Sequence, residues 1–214
     1  MRYQAALRPD RMPLRPVAGP LAKAGAVEPP VRQGKRLDLD RGLASFFLQR
    51  IEEEQMPGER GTGAASPQEV AGRSGLDLLR AIIAGAAPAP PMGRTLGFAL
   101  VQAEPGFALF EATPSEALLN PLGTVHGGWA LALIDSAAGC AVHTELPAGT
   151  GYTTLETKVN FTRAIRPDSG PVRCEGRVVT RGRRVATAEA RLLDGEGKVL
   201  AHGSSTLLIL PPGG

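Results

Sequence analysis

The chain has 214 residues, of which 43% are hydrophobic and 4% aromatic, enough for one ordinary domain with a sizeable core plus extensions. Its net charge of +3 is misleading, because residues 1–36 carry eight Lys or Arg against two Asp or Glu, which leaves −3 for the remainder. That balance argues against a nucleic-acid-binding face on the body of the protein. The sequence has no apolar run of eighteen residues, so we expect no membrane span.

The N-terminal region is predicted to contain little regular structure. Residues 1–36 hold six prolines and scattered basic residues, which favours a disordered tail without the apolar centre of a secretory signal. Residues 37–73 are predicted to form a helix over 38–55 followed by a Gly-rich linker over 57–66. The helix is indicated by one apolar face, made of Leu39, Leu43, Phe46, Phe47 and Ile51.

A third segment, residues 74–211, has the pattern of a folded domain. Ser74 can cap a short helix with an apolar stripe, and three prolines follow it, Pro88, Pro90 and Pro91. From Gly93 the apolar period becomes two, which predicts a strand through Leu96, Phe98 and Leu100, and a turn at Glu104–Gly106 leads into a second strand.

A helix from about Gly127 to Thr144 comes next, and four strand-like runs follow: Thr153–Arg163, Val172–Thr180, Val185–Leu193 and Val199–Ile209. Two strands, one long helix and a four-stranded meander predict an α+β fold in which an antiparallel sheet packs on one buried helix.

The two cysteines, Cys140 and Cys174, stand far apart and show no metal-ligand spacing. We therefore expect small apolar fillers in a reducing cytoplasm, with neither a disulfide framework nor a zinc site.

Asp135 is the single charged residue in the predicted long helix, which is otherwise apolar on every side. A helix of that composition is usually buried all round, and a buried, unpaired carboxylate costs several kcal/mol or takes up a proton. The alternative is a place on a narrow exposed strip or a pairing with a distant Arg. We interpret Asp135 as a functional carboxylate.

The start of the same helix reads His126-Gly127-Gly128. A helix N-terminus presents unpaired N–H groups and a partial positive charge, and two glycines leave the backbone open to a ligand. The pattern indicates a site for an oxyanion, with a simple tight turn as the alternative.

The spacing of these two features predicts a dimer. Gly127 and Asp135 are eight residues apart, about 12 Å along a helix axis. An oxyanion donor and an attacking group must both lie about 3 Å from one carbonyl. Antiparallel helices from two subunits would satisfy that requirement and would form two equivalent sites.

At these residues the sequence resembles the PaaI-like branch of the hotdog-fold acyl-CoA thioesterases. The resemblance rests on His-Gly-Gly with an acid nine residues after the His, within Asn120–Gly128 and Asp135, and on Lys158–Arg163 in the following strand. It runs from about Ser74 to Pro211. It implies a sheet curled around the central helix, a homodimer that often pairs into a dimer of dimers, and hydrolysis of acyl-CoA to a free acid and coenzyme A. No metal is implied, and no cofactor beyond the coenzyme A of the substrate.

The resemblance also implies roles for individual residues. Asp135 would be the nucleophile or the base that activates water. The Gly127 amide would bind the thioester oxygen, with Gly128 beside it, and His126 would polarise or position that oxygen. Asn120 would hold the water or the thioester.

A hydroxyl from the next strand is expected to support the water from the Asp135 side. That residue is Thr154, or Thr153 if the strand register slips by one. Some relatives carry a hydroxyl four residues after the acid. The position here is Gly139, so that role is absent or is filled by Ser136 or Thr154.

The phosphates of coenzyme A call for basic residues near the mouth of the site. The candidates are Arg163, Arg166, Arg181, Arg183 and Arg184, with a solvated hairpin as the alternative. His143 and His202 are interpreted as ordinary strand or surface residues, and Trp129 as a packing residue.

Two other functions fit parts of the pattern. A hotdog-fold acyl-thioester hydratase or dehydratase would also use a His and a central-helix acid, although those families usually enter the helix through Pro-Gly. A non-catalytic acyl-CoA-binding module is the second alternative. Release of free acid and free thiol from acyl-CoA would separate the three.

Overall fold

The computed structural model describes residue 63 and residues 65–212, so the predicted tail over 1–36 and the predicted helix over 38–55 lie outside the described residues. The helices within the described part are α1 (Pro67–Gly72), α2 (Gly75–Ile83), α3 (Pro91–Leu96) and α4 (Gly127–His143), with a 3-10 turn at Glu116–Leu118. The strands are β1 (Phe98–Glu104), β2 (Phe107–Ala112), β3 (Gly151–Phe161), β4 (Val172–Arg181), β5 (Val185–Leu193) and β6 (Val199–Leu210).

The six strands form one antiparallel sheet in the order β1-β2-β4-β5-β6-β3. The predicted α+β class is confirmed, and the predicted four-stranded meander is wrong. Strands β4, β5 and β6 are joined by short turns, whereas the ten residues between β3 and β4 carry the chain across the sheet. Strand β3 therefore lies at one edge, beside β6, and β4 pairs with β2. A link of that length is too long for a tight hairpin, which is the signal that the meander prediction overlooked.

The segment before β1 is helical rather than extended. Pro91 lies in the first turn of α3, and Gly97 ends the helix in the left-handed conformation at φ +70°. Leu96, predicted as a strand residue, is the last residue of α3. The Trp129 indole N–H donates to the Leu96 carbonyl at 2.7 Å, a contact between distant segments that a local period cannot predict. Trp129 is buried, as expected for packing.

Side-chain caps define the two helices that precede α3. Ser74 accepts a hydrogen bond from the Asp77 amide and begins α2, as predicted. Ser66 and Glu69 form a reciprocal capping box at the start of α1. Helix α1 follows the predicted linker over 57–66, at positions where no helix was predicted.

Helix α4 contacts all six strands of the sheet. A flat six-stranded sheet is about 24 Å wide between its outer strands, about twice the diameter of a helix with its side chains. The sheet must therefore curve around α4, which is the wrapped arrangement that the resemblance implies. The buried residues of the helix include Leu133, Ile134, Ala137 and Ala138.

Small residues on the sheet allow that close contact. A Cβ at Gly176 of β4 would lie 2.1 Å from the Ala137 carbonyl oxygen. A Cβ at Gly203 of β6 would lie 3.0 Å from the Ile134 side chain and 2.3 Å from the Lys158 carbonyl oxygen. The face of β5 that packs against the helix consists of buried alanines, namely Ala186, Ala188 and Ala190. The low aromatic content of the chain is thus consistent with a short distance between the helix and the sheet.

Both cysteines are free thiols. Burial raises the pKa of Cys140 to about 12 and also raises the pKa of the Cys174 thiol. Thiols that stay protonated are poor nucleophiles and poor metal ligands, so both act as the small apolar fillers that were predicted. Across residues 65–212 no helix is long and apolar enough to cross a membrane.

Gly176→Ala should destabilise the fold strongly, because its methyl group would collide with the backbone of α4 rather than with a movable side chain. Overpacking of this kind costs roughly 1–3 kcal/mol or more, which corresponds to a loss of several degrees in Tm, at about 2–4 °C per kcal/mol for a chain of this size. Gly195→Ala is the matched control, since a Cβ there meets nothing within 4 Å. Thermal unfolding of the two variants provides the measurement, and equal Tm values would contradict the close packing.

Candidate active site

One strip of α4 remains partly open in the single chain. Leu131 is 38% exposed and Asp135 is half-buried, whereas the faces that carry Leu133, Ile134 and Ala137 are fully buried. The expectation of a helix buried all round is therefore wrong for this strip. Asp135 lies on this strip one helical turn after Leu131. The carboxylate therefore avoids full burial and the desolvation cost that full burial would carry.

The Asp135 carboxylate is held through one of its two oxygens. Its Oδ1 accepts hydrogen bonds from Thr157 Oγ1 at 2.8 Å and from Thr154 Oγ1 at 3.1 Å. Its Oδ2 receives no hydrogen bond from any residue of the described part of the chain. The carboxylate is thus fixed in orientation and keeps one oxygen available for chemistry.

The Thr157 hydroxyl belongs to a short chain of hydroxyl groups. It lies 3.0 Å from Ser205 Oγ on β6. Because a hydroxyl carries one proton, a Thr157 that donates to Asp135 accepts from Ser205. Ser205 is 1% exposed and also donates to the Glu156 carbonyl oxygen at 3.1 Å, so its single proton is shared between that oxygen and Thr157. The chain anchors the Asp135 carboxylate to the sheet.

A β-bulge brings both threonines to the carboxylate. The β3–β6 register shifts between Thr154 and Glu156, so Leu155 is the extra residue. Regular alternation would place residues three apart on opposite faces, and the bulge instead turns Thr154 and Thr157 to the same side. Thr153 faces outward and is exposed. Thr157 was missed from the sequence because no regular strand period predicts its contact.

The N-terminus of α4 offers one free amide rather than two. The His126 imidazole caps the helix, with Nδ1 accepting a hydrogen bond from the Gly128 amide at 2.9 Å. That amide is therefore occupied, and the expectation of a second open donor at Gly128 is wrong in this conformation. The Gly127 amide donates to no acceptor among the described residues. An Nδ1 that accepts leaves the proton of a neutral His126 on Nε2.

The side chain of Asn120 organises its own loop. Its Oδ1 accepts from the amides of Leu122 at 2.9 Å and Thr124 at 3.3 Å, and its Nδ2 donates to Thr124 Oγ1 at 2.8 Å. One Nδ2 hydrogen remains for another acceptor. Asn120 therefore mainly stabilises the loop before the helix start. A direct contact with a substrate can use only the second hydrogen on Nδ2.

A cleft of about 380 Å³ opens beside the helix start, lined by residues that include Gly127, Phe161 and Arg163. The Phe161 ring lies against the Gly127 backbone, since a Cβ on Gly127 would be 3.1 Å from its Cζ. Phe161 is 57% exposed. The cleft places an exposed aromatic ring and a cation next to the free amide.

The arginines predicted for phosphate binding do not form one cluster within a single subunit. Arg163 follows β3 and lies at the Gly127 end of α4. Arg181, Arg183 and Arg184 are exposed at the β4–β5 turn, level with the Thr153 end of β3 through the pairs Val185–Leu208 and Leu208–Thr153. About 25 Å of strand separates the two groups. Arg166 is also exposed.

The remaining polar candidates from the sequence do not contact the Asp135 carboxylate. The Ser136 hydroxyl makes no hydrogen bond with a described residue. His143 ends α4, where burial lowers its pKa, and His202 is exposed on β6. No group of three His, Cys, Asp or Glu residues among those described is arranged to hold a metal ion.

Comparisons with known proteins agree with this fold. The thioesterase superfamily model matches residues 122–201, which include α4 and β3 to β5. A protein of Saccharolobus solfataricus provisionally named an esterase is 31% identical over 52% of this chain and 77% of its own length. A solved phenylacetic acid degradation-related protein of Ralstonia eutropha JMP134, described provisionally as a thioesterase, is 28% identical with a TM-score of 0.56, over 61% of this chain and 98% of that one.

A single-residue variant of the phenylacetic acid degradation protein PaaI of Thermus thermophilus is also 28% identical, with a TM-score of 0.50, over 55% of this chain and 97% of that one. The helix start, the Asp135 helix and strand β3 all lie in the region that the superfamily model matches. The chain belongs to the thioesterase superfamily, with the hotdog fold and the PaaI-like pattern, and its general chemistry is thioester hydrolysis.

Proposed function

We propose that the protein hydrolyses acyl-CoA thioesters to a free acid and coenzyme A. The observation that carries the proposal is the Asp135 carboxylate, bound at Oδ1 by Thr154 and Thr157 and free at Oδ2. The free amide of Gly127 at a helix N-terminus supplies the complementary group, a donor for a negatively charged oxygen.

Two routes use the free Oδ2 in the same place. As a base, Asp135 takes a proton from water, the hydroxide oxygen bonds to the thioester carbon, and the C–S bond then breaks. The departing thiolate takes up the proton that Asp135 holds. As a nucleophile, Asp135 itself bonds to the carbon and expels the thiolate, and water then cleaves the resulting anhydride. In both routes the thioester oxygen becomes negative and needs the Gly127 donor.

The active site is proposed to be shared between two subunits. Gly127 and Asp135 lie about 12 Å apart along α4, so one carbonyl cannot meet both in one chain. Strand β3 is an edge strand of 11 residues, and its own Leu155 is 58% exposed. An exposed edge of that length is a template for pairing with another strand. Antiparallel pairing of two copies of β3 would bring each helix start towards the other's Asp135, and such dimers could pair again into tetramers.

The separation of the arginines supports the same arrangement. In a twofold dimer with antiparallel helices, the Gly127 end of one chain lies beside the Thr153 end of its partner. Arg163 of one subunit would then approach the turn that carries Arg181, Arg183 and Arg184 in the other. Together they would supply the positive charge that the phosphates of coenzyme A require.

Asp135→Asn should lower kcat for acyl-CoA hydrolysis by about 10²–10⁴-fold, the usual cost of losing a general acid–base group. Thiol release from a panel of acyl-CoAs provides the measurement, with circular dichroism to verify folding. Glu189→Gln, an exposed carboxylate on β5, is the charge-matched control. Binding of acyl-CoA by the native protein without thiol release would identify a binding module. A changed acyl group still attached to coenzyme A would identify a hydratase or dehydratase.

Thr157→Val should reduce kcat by about tenfold or more, because a hydrogen bond to a charged group contributes roughly 1.5–3 kcal/mol. The substitution preserves shape, and Ser205 keeps an acceptor in the Glu156 carbonyl oxygen. Thr153→Val is the matched control, since Thr153 faces outward on the same strand. Steady-state rates of the two variants test the role, and an unchanged kcat in Thr157→Val would show that Asp135 does not depend on this anchor.

Two inactive variants should restore activity when their subunits mix. Gly127→Pro removes the donor N–H at the first helical position, which proline tolerates, and His126 already has the extended conformation that a following proline requires. The other variant is Asp135→Asn. Refolding an equal mixture should return about a quarter of the native activity, because half of randomly paired dimers carry one intact site.

Gly127→Ala is the steric control for this experiment, since it keeps the N–H but adds the Cβ that approaches Phe161. Subunit exchange is followed with a tag on one variant. If mixed dimers form and no activity returns, the shared site is wrong.

A further inference from the structure

Tyr152 covers the open strip of α4 on the C-terminal side of Asp135. A Cβ built on Gly139 would stand 2.7 Å from the Tyr152 hydroxyl oxygen and 2.9 Å from Cε2. Any larger residue at 139 would displace the ring, so the glycine is what allows this contact. Gly139 follows Asp135 by four residues, which puts both on the same face of the helix, about 6 Å apart along its axis.

The ring contacts the last turns of α4 at two residues, Gly139 and His143. It lies 5.4 Å from the His143 ring, centroid to centroid, at the last turn of α4. Strand β3 carries Tyr152 two residues before Thr154, so regular alternation directs both side chains to the helix. Burial raises the Tyr152 pKa well above its usual range, which keeps the phenol neutral. Tyr152 is therefore a fixed, uncharged wall.

The strip changes character at this wall. Leu131 and Asp135 are accessible on it, whereas Gly139 is buried beneath the ring. A substrate carbonyl next to the free Oδ2 of Asp135 can extend its acyl group along the strip, and the ring bounds the strip in the C-terminal direction. The wall lies about one helical turn from the reacting atom.

We propose that Tyr152 is a specificity-determining residue, whose ring, packed on Gly139, forms the end of the acyl site and limits the size of the acyl group. This inference rests on the proposed acyl-CoA hydrolysis. It assigns the selection of acyl-group size to a single side chain. The motif residues leave that selection open, because they are proposed to act on the thioester group itself: His126, Gly127, Asp135 and Thr154. One methylene in an apolar pocket changes kcat/KM by about 10–200-fold, so a fixed wall produces a sharp limit.

The experiment compares kcat/KM across straight-chain acyl-CoAs of increasing length. Native enzyme should show a length beyond which kcat/KM falls. Tyr152→Leu, which shortens the wall and keeps it apolar, should move that limit to longer chains. The ratio of kcat/KM for a longer over a shorter substrate should rise at least tenfold. Tyr152→Phe retains the ring and should keep the native limit, and Thr153→Val on the outward face is the positional control.

The outcomes separate this inference from the proposed function. An enzyme that releases no thiol from any acyl-CoA contradicts the function itself. An active enzyme with the same length limit in Tyr152→Leu overturns the role of Tyr152 alone. If Tyr152→Leu folds but turns over nothing, the same series is measured by calorimetric binding to Asp135→Asn and to Asp135→Asn with Tyr152→Leu. Identical length profiles for that pair would also overturn the proposal.

Discussion

The structure depends on the close contact between helix α4 and the sheet. Gly176 and Gly203 leave no side chain between the strands and the helix, and buried alanines line β5 beneath it. With larger residues the helix would stand further from the sheet, and hydroxyl groups of β3 could not reach a helix carboxylate. The short distance therefore also permits the hydrogen bonds between β3 and Asp135. It also explains how a chain with few aromatic residues builds a dense core, because small side chains pack well only when the elements themselves approach closely.

The same contact places Asp135 in a partly polar niche within an apolar interface. A carboxylate facing the sheet without partners would cost several kcal/mol. The bulge in β3 provides two hydroxyl donors, and the chain through Ser205 orients one of them. Both hydroxyl bonds to the carboxylate fall on Oδ1, which leaves Oδ2 without a hydrogen bond from the described residues.

Two glycines of α4 also allow close packing, because an aromatic ring from β3 lies against each of them. Phe161 lies against Gly127 and Tyr152 against Gly139, with Asp135 between them. The two rings differ in exposure, since Phe161 borders an open cleft and Tyr152 covers a buried residue. The strip that carries Asp135 thus has an open end beside the free amide and a closed end beyond the acid.

The sequence by itself determined the class of fold, the extent of α4 and nearly all strands, because strict periods of two and an uninterrupted apolar helix leave few alternatives. It also indicated Asp135 and Gly127, since a lone acid stands out in an apolar helix and paired glycines leave the helix N-terminus open to a ligand. Tertiary structure decided the rest. Strand β3 lies at the sheet edge because it pairs with β6, a choice that the length of its link to β4 permits but does not determine. Gly128 is occupied because His126 turns back onto the helix it precedes. Thr157 and Tyr152 reach α4 because a bulge and a missing Cβ set distances between segments far apart in sequence, which no local pattern encodes.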